Sequence, residues 1–171
     1  MRDPIQGNFA GNRKSSAASL AMGGMFAALV FAATAFLHLP MNSGYIHLGD
    51  GFILLGASLL GFVAVPAAAV GSLLADLQLN FAAYALPSFL IKSAMAAIAV
   101  IATRRSHLWP RLILLSMAEM LMIAGYFAVE WLFMGYGFAG AWANVPGNMI
   151  QGVSGVVLFF LVSPVLRRVR L

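Results

Sequence analysis

Long apolar stretches separated by short polar loops make up most of the chain. Residues 16–38 carry no charged side chain apart from a terminal histidine. Their length predicts a membrane-spanning helix, because about 20 apolar residues cross the hydrocarbon core of a bilayer. Similar stretches at 86–103, at about 112–134 and at about 145–165 predict three more spans.

The apolar run from Gly51 to Ala75 allows two interpretations. Its length suits one span, yet Pro66 lies near its middle and Gly61 shortly before. Proline removes a helical hydrogen bond and disfavours helix at the preceding residue. The run therefore forms either one kinked helix or two short helices joined by a tight turn.

The basic residues favour two short helices within residues 51–79. Nine of the ten basic residues flank predicted helices: Arg2, Arg13, Lys14, Arg104, Arg105, Arg111, Arg167, Arg168 and Arg170. With six spans all nine lie on one side of the membrane, whereas five spans divide them between both sides. Since positive residues concentrate in cytoplasmic loops, we predict an all-α integral membrane protein with six transmembrane helices and both termini cytoplasmic. Its parts are a cytoplasmic tail (1–15), the membrane domain (16–166) and a basic cytoplasmic C-terminus (167–171).

Composition narrows the function. Hydrophobic residues make up 62% of the 171 positions and charged residues 9%, against about 25% charged residues in soluble domains. This excludes a soluble enzyme and a nucleic-acid-binding protein, although the net charge is +5. The absence of cysteine excludes disulfides and thiolate metal sites. Without a phosphate-binding loop, the chain itself cannot hydrolyse ATP, and we expect no cofactor.

Five ionisable residues lie within apolar segments or at their edges: Asp50, Asp76, Lys92, Glu119 and Glu130. A charge at bilayer depth costs roughly 2.5–3.5 kcal/mol and is a functional candidate by default. The six-span topology places all of them except Glu119 in the outer half of the membrane, with Lys92 about a turn and a half into the fourth helix. The alternative is structural: Lys92 pairs with Asp50 or Asp76, and Glu119 holds helices together.

Helical spacing adds aromatic and amide groups to this set. Glu130 follows Tyr126 by four residues, and Asn144, Asn148 and Gln151 also share a helix face. Placed polar groups on apolar helices are typical of a ligand pocket, although they also knit helices together by hydrogen bonds. The candidate substrate-binding residues are Tyr45, His47, Asp50, Asp76, Tyr84, Lys92, Tyr126, Glu130, Asn144, Asn148 and Gln151. We identify no catalytic residue and no metal ligand.

The first predicted helix carries small residues at helical spacing. Gly24, Ala28 and Ala32 continue a face begun by Ala17 and Ala21. Such faces permit close approach of a second helix. They serve either internal packing or docking of another membrane protein.

Five segments in order resemble one family. They are residues 43–50 (SGYIHLGD), 71–76 (GSLLAD), 87–92 (PSFLIK), 125–130 (GYFAVE) and 144–152 (NVPGNMIQG). This pattern resembles the substrate-binding S components of energy-coupling factor (ECF) vitamin transporters, in the branch for riboflavin-, hydroxymethylpyrimidine- or pyridoxine-like substrates. The small-residue face resembles the family's docking motif, with Gly24 where the usual form has alanine.

The resemblance implies a membrane-embedded binding subunit and not an enzyme. It would capture a small heteroaromatic vitamin or precursor from outside a prokaryotic cell, with residues 39–50 as a lid. It would then dock in the plasma membrane on a transmembrane coupling subunit bound to two cytoplasmic ATPases, which use the ATP.

Two other classes stay open. One is a membrane-embedded enzyme that uses Asp50, Asp76 or Glu130 as acid or base. The lack of a Ser–His pairing in the sequence argues against this class. The other is a homo-oligomeric channel assembled through residues 17–32. A metal substrate is disfavoured, since metal-specific S components place an N-terminal histidine in the site and this chain has none.

Overall fold

The computed structural model describes residues 6–41 and 44–169, with the side chains of residues 16–41 and 44–166. The helices are α1 (Gln6–Phe36), α2 (Gly49–Leu60), α3 (Ala64–Gln78), α4 (Ala82–Thr103), α5 (Leu108–Leu132) and α6 (Gly137–Val169). A small antiparallel hairpin, β1 (His38–Pro40) and β2 (Tyr45–His47), joins α1 to α2 and pairs His38 with His47. The sequence did not predict this hairpin.

Five stretches of the described residues are long and apolar enough to cross a membrane. They are Ser16–Phe36, Gly49–Gln78, Ala82–Thr103, Leu108–Leu132 and Gly137–Leu166. Large apolar side chains also lie on the outer surface, such as Leu20 and Leu161, which are 79% and 69% exposed. Such a surface suits lipid and not water. The chain is a helical, multi-pass membrane protein, as predicted.

The chain reverses between α2 and α3. A continuous helix, rising about 1.5 Å per residue, would set Asp50 and Asp76 about 39 Å apart. Yet Tyr45 donates a hydrogen bond of 2.6 Å to Asp76, and the five residues from Tyr45 to Asp50 reach at most about 18 Å. The reversal falls at the short 3₁₀ turn Gly61–Val63, where Gly61 has φ +59°.

Pro66 lies in the first turn of a helix at this reversal and does not kink a helix. It is the third residue of α3. The first N–H groups of a helix have no acceptor within it, so a proline there forfeits no bond. Two short helices therefore occupy the stretch that the sequence left ambiguous.

The apolar core lies between the helices and takes its large side chains from α1, α2, α4, α5 and α6. Its largest buried apolar side chains are Val30, Ile53, Leu54, Met95, Leu115, Met122 and Phe159. Gly71 lets α3 approach α1 closely, because a Cβ at this position would lie 2.9 Å from Val30 Cβ. A larger residue at Gly71 would push the two helices apart.

Several helices begin earlier than predicted. The helix α1 begins at Gln6 instead of residue 16, and α6 begins at Gly137 and includes Asn144. Since α4 begins at Ala82, Lys92 lies almost three turns inside the helix, and the prediction of a turn and a half was wrong. Apolar content marks the membrane-buried part of a helix and misses its polar ends.

The predicted terminal segments fall largely outside the described residues. This holds for Arg2 and Arg170, and for the side chains of Arg13, Lys14, Arg167 and Arg168. The division into tails and membrane domain therefore stays a prediction.

Candidate functional site

A cavity at one end of the helices brings together nine of the eleven candidate residues. The space between its walls measures about 430 Å³, part of it open to solvent. The nine are Tyr45, His47, Asp76, Tyr84, Tyr126, Glu130, Asn144, Asn148 and Gln151. They come from β2, α3, α4, α5 and α6, so the cavity forms only when the whole chain folds. Binding by these residues stays a prediction.

Four aromatic rings form a row along the cavity. The ring centres of Tyr45 and Phe81 are 5.2 Å apart, those of Phe81 and Tyr84 are 6.0 Å apart, and those of Tyr84 and Tyr126 are 6.2 Å apart. These separations lie within the range of favourable ring contacts. The row provides a wall against which a flat ring can pack.

Two carboxylates lie beside this row. Glu130 accepts hydrogen bonds of 3.0 Å from the Tyr84 hydroxyl and from the Asn144 amide. Asp76 accepts one through Oδ1 from Tyr45. The tyrosine hydroxyls thus hold both carboxylates at the cavity wall.

Asp50 and Lys92 lie behind the wall and do not line the cavity. Lys92 Nζ donates to Asp50 Oδ1 at 2.5 Å, and neither side chain is exposed. Lys92 Nζ also lies 5.3 Å from the centre of the Tyr126 ring. The structure shows the pairing that was the alternative; contact of either residue with substrate stays a prediction.

Gln151 connects this ion pair to the hairpin. Its amide donates to Asp50 Oδ2 at 2.7 Å, and its Oε1 accepts from the His47 backbone N–H at 3.0 Å. His47 Nδ1 in turn accepts from the Gly49 N–H at 3.0 Å. The hairpin that covers the cavity is therefore held by a buried polar chain.

Burial changes the titration of two hairpin side chains. It lowers the pKa of His47 to about 3, so the imidazole is neutral at physiological pH, as an Nδ1 that accepts a hydrogen bond requires. Burial, reinforced by the neighbouring Asp76, raises the pKa of the Tyr45 phenol far above its ordinary value. Tyr45 therefore acts as a neutral hydrogen-bond donor.

Glu119 lies apart from the cavity although it shares a helix face with Tyr126 and Glu130. It is buried on α5 against α6 and interacts with the carboxyl group of Asp50 behind the cavity wall. A Cβ at Gly155 would meet its Oε1 at 2.8 Å. Seven residues along a helix cover about 10 Å, which separates Glu119 from Tyr126 in depth.

Sequence reasoning missed three residues that line the cavity, Met41, Gly44 and Phe81. Phe81 precedes Tyr84 by three residues, a spacing that signals a shared side. Ser88 exchanges a hydrogen bond of 2.8 Å with the Tyr126 hydroxyl. Met41 and Gly44 lie in the hairpin loop, where no periodic signal exists.

The small-residue face of α1 points outward. Gly24 and Ala28 are exposed and Ala32 is partly buried. A Cβ at Gly24 would meet nothing within 4 Å. Internal packing therefore does not explain the small residues at these two positions.

Comparison with known proteins identifies the family. A family model described as "ECF-type riboflavin transporter, S component" matches residues 14–168. The chain belongs to this family of S components. The recognition made from five short segments is thereby confirmed.

This S component also resembles one curated protein. An uncharacterized protein from Pyrococcus woesei, described by its place in a "gap 3'region", is 31% identical over 122 residues. The match covers 70% of this chain and 80% of that protein. No solved structure matches.

Membership places the chain in transport. An S component works with the other components of an ECF transporter and takes a vitamin substrate. It is a transporter subunit and not an enzyme, which agrees with the prediction at that level.

Proposed function

We propose that this S component binds a small heteroaromatic B-group vitamin or precursor in the cavity under the hairpin. Riboflavin-, hydroxymethylpyrimidine- and pyridoxine-like molecules are the candidates. The observation that carries this proposal is the row of four aromatic rings beside two fixed carboxylates. Rings bind the faces of a flat substrate, and polar groups at its edge determine its orientation and identity.

The cavity opens to the outside of a prokaryotic plasma membrane in this proposal. The α2–α3 turn lies at the end of the molecule opposite the cavity. Tyr84, near the start of α4, lines the cavity, whereas Arg104 follows the end of α4. Arg104 stacks on the Phe62 ring of the turn, with its guanidinium carbon 5.0 Å from the ring centre. Basic residues favour the cytoplasmic side, so the Arg104 end faces inward. With α2 and α3 as separate spans, the chain crosses six times and both termini are cytoplasmic.

The shortness of α2 and α3 carries a cost in this topology. Their 12 and 15 residues cover about 18 and 22 Å, less than the roughly 30 Å hydrocarbon core. Local thinning of the bilayer accommodates short helices at a modest cost. The extended α1 and α6 pack beside them.

Residues 39–50 serve as the lid. They include most of the hairpin, which contributes Tyr45 and His47 to the cavity wall. The hairpin is held by the bond to Gln151, by the bond from Tyr45 to Asp76 and by packing of Met41 and Ile46 against α6 at Gly147. Opening requires that the bond from the His47 N–H to Gln151 and the bond from Tyr45 to Asp76 both break.

The exposed small-residue face of α1 docks on the transmembrane coupling subunit, which carries two cytoplasmic ATPases. Gly24 and Ala28 are exposed on the same helix as the exposed side chains of Leu20 and Met25. A partner helix can approach closely there, with van der Waals packing as the driving force.

Mass spectrometry of the small molecules released from purified, denatured protein tests the binding function. We expect a flat heteroaromatic molecule in about equimolar amount. Tyr84→Ala should lose it, because this change removes a ring from the row and a donor from Glu130. Leu86→Ala, at an exposed position of α4, should retain it. If wild type and Tyr84→Ala release the same molecule in equal amounts, the cavity is not the site.

Copurification tests the docking. Gly24→Leu combined with Ala28→Leu should reduce recovery of the coupling subunit and both ATPases, and abolish uptake, while substrate affinity is unchanged. Ala124→Leu provides the matched control, since Ala124 is an exposed small residue on α5. Normal copurification by the double variant would exclude this face as the docking surface.

A further inference from the structure

Two acids and one base meet in the interior behind the cavity wall. Asp50 and Lys92 are 0% exposed, and Glu119 is 3% exposed. Lys92 donates to Asp50, and the carboxyl group of Glu119 interacts with both of them. His47, the basic group of the nearby hairpin, is neutral, because its Nδ1 accepts a hydrogen bond from Gly49. Two carboxyl groups therefore share the single cation Lys92 in a place that is closed to solvent.

A glycine on α6 makes room for the contact between the two carboxyl groups. A Cβ at Gly155 would lie 2.8 Å from Glu119 Oε1 and 3.3 Å from Asp50 Cβ. Both distances are shorter than an ordinary contact between non-bonded atoms. The space that a side chain at Gly155 would fill is thus taken by the carboxyl group of Glu119 beside Asp50.

We propose that Glu119 is a neutral carboxylic acid that donates a hydrogen bond to Asp50 and thereby positions the hairpin over the cavity. Two carboxyl groups that share a buried site cannot both be ionised, because like charges repel strongly in a low-dielectric interior. One retained proton also balances the charge of Lys92 and leaves the cluster neutral. The proton lies on Glu119, because Asp50 already accepts from two donors, from Lys92 through Oδ1 and from Gln151 through Oδ2.

Two further hydrogen bonds connect Asp50 to the hairpin. Asp50 Oδ2 accepts from the Gln151 amide at 2.7 Å, and Gln151 Oε1 accepts from the His47 backbone N–H at 3.0 Å. The NH₂ group and the oxygen of an amide point in different directions, so a carboxylate that holds the NH₂ group aims the oxygen at His47. Glu119 on α5 therefore acts on the hairpin through Asp50 and Gln151. This role as a positioning residue rests on the proposed function of residues 39–50 as the lid.

Infrared spectroscopy of the purified, full-length protein without added substrate tests the protonation of Glu119. At neutral pH the wild type should show the carbonyl stretch of a protonated carboxylic acid. Glu119→Gln should lose the intensity of one such group, since glutamine keeps the shape of the side chain but has no acidic proton. Met120→Leu, at an exposed position of α5, is the matched control and should keep it. An unchanged carboxylic acid band in Glu119→Gln would overturn the proposal.

Hydrogen–deuterium exchange at the His47 amide tests the positioning role, again without added substrate. Glu119→Met removes the donor at a similar side-chain length. It should speed exchange at His47 at least about fivefold, because loss of a hydrogen bond to a charged group is costly. Glu119→Gln should stay within about twofold of wild type, because its amide NH₂ group still donates to Asp50. Met120→Leu should leave the exchange unchanged.

Rescue by glutamine separates a hydrogen-bond donor from an anion at Glu119. Equal acceleration in Glu119→Gln and Glu119→Met would overturn the donor role. Acceleration that is no larger at His47 than along the rest of α2 and α6 would indicate a general loss of stability and overturn the positioning role.

Gly155→Ala provides a second variant in case Glu119→Met fails to fold. Its Cβ would push the Glu119 carboxyl group away from Asp50 and should also speed exchange at His47, whereas unchanged exchange would overturn the proposal. Neither measurement needs a bound molecule, so a negative result here leaves the proposed substrate binding standing. A protein that releases no small molecule would contradict the binding function without changing these two readouts.

Discussion

The buried pair of Asp50 and Lys92 gives the sharpest mechanistic prediction. Both side chains are completely buried, and Lys92 Nζ lies 2.5 Å from Asp50 Oδ1. Lys92→Met keeps the length and apolar stem of the side chain but removes its charge. Asp50 is then left as a buried carboxylate that still accepts from the Gln151 amide.

The expected destabilisation follows from that geometry. Removing one partner of a buried pair typically costs about 3–5 kcal/mol, whereas replacing both partners by neutral groups is often nearly neutral. Lys92→Met should therefore lower the free energy of unfolding by about 3 kcal/mol or more. The double variant Asp50→Asn with Lys92→Met should recover most of this loss, because asparagine still accepts from Gln151.

Unfolding by sodium dodecyl sulfate in detergent micelles, followed by tryptophan fluorescence, measures these free energies. Leu90→Met is the matched control, since Leu90 is exposed on the same helix and should change stability by less than about 0.5 kcal/mol. A Lys92→Met loss below about 1 kcal/mol would refute the reasoning. So would a double variant that is no more stable than the single one.

Substrate affinity separates a supporting role from direct contact. Since Lys92 lies behind the cavity wall, the double variant should bind substrate within about threefold of wild type once it is folded. A loss of a hundredfold or more in the folded double variant would show that these side chains contact the substrate, as the sequence alone predicted.

Three further predictions concern the hairpin, the helix reversal and the aromatic row. Because the pKa of His47 is lowered to about 3, the unfolded chain binds a proton between about pH 6.5 and 3 that the folded chain does not bind. The stabilising contribution is therefore complete above about pH 6.5, and stability should fall progressively below it. His47→Gln should make stability less dependent on pH in the same unfolding assay. Gly61→Val should lower the free energy of unfolding by about 1 kcal/mol or more, because φ +59° strains a β-branched residue. Gly24→Ala should not lower it, since its Cβ would meet open space. Equal effects of the two changes would refute the assignment of a strained turn at Gly61. Phe81→Ala should weaken substrate binding at least tenfold by calorimetry, and unchanged affinity would remove Phe81 from the site.

Much of the fold could be predicted from hydrophobic length and charge placement. Apolar stretches marked the helices because the bilayer requires long runs without charge. The reversal at Gly61 could be predicted, because a glycine near Pro66 permits a break in the helix. The hairpin at residues 38–47 could not be predicted, because six paired residues in a polar loop are too few to show a periodic pattern.

The candidate site was predicted in composition but not in arrangement. Helical spacing correctly grouped Tyr126 with Glu130 and Asn144 with Gln151, because residues on one face of a helix point into one space. Spacing cannot tell which buried charge is paired, so the pairing of Lys92 with Asp50 stayed only an alternative. Pairing depends on the packing of α2 against α4, which no local pattern encodes.

The central claim is that the cavity beneath the hairpin holds the substrate. A crystal structure of the protein purified with its bound small molecule tests this most directly. We predict a flat ring packed against Tyr84 and Tyr126 in the cavity beneath the hairpin. Density for the molecule elsewhere, for example between α5 and α6 beside Glu119, with an empty cavity beneath the hairpin, would contradict the account.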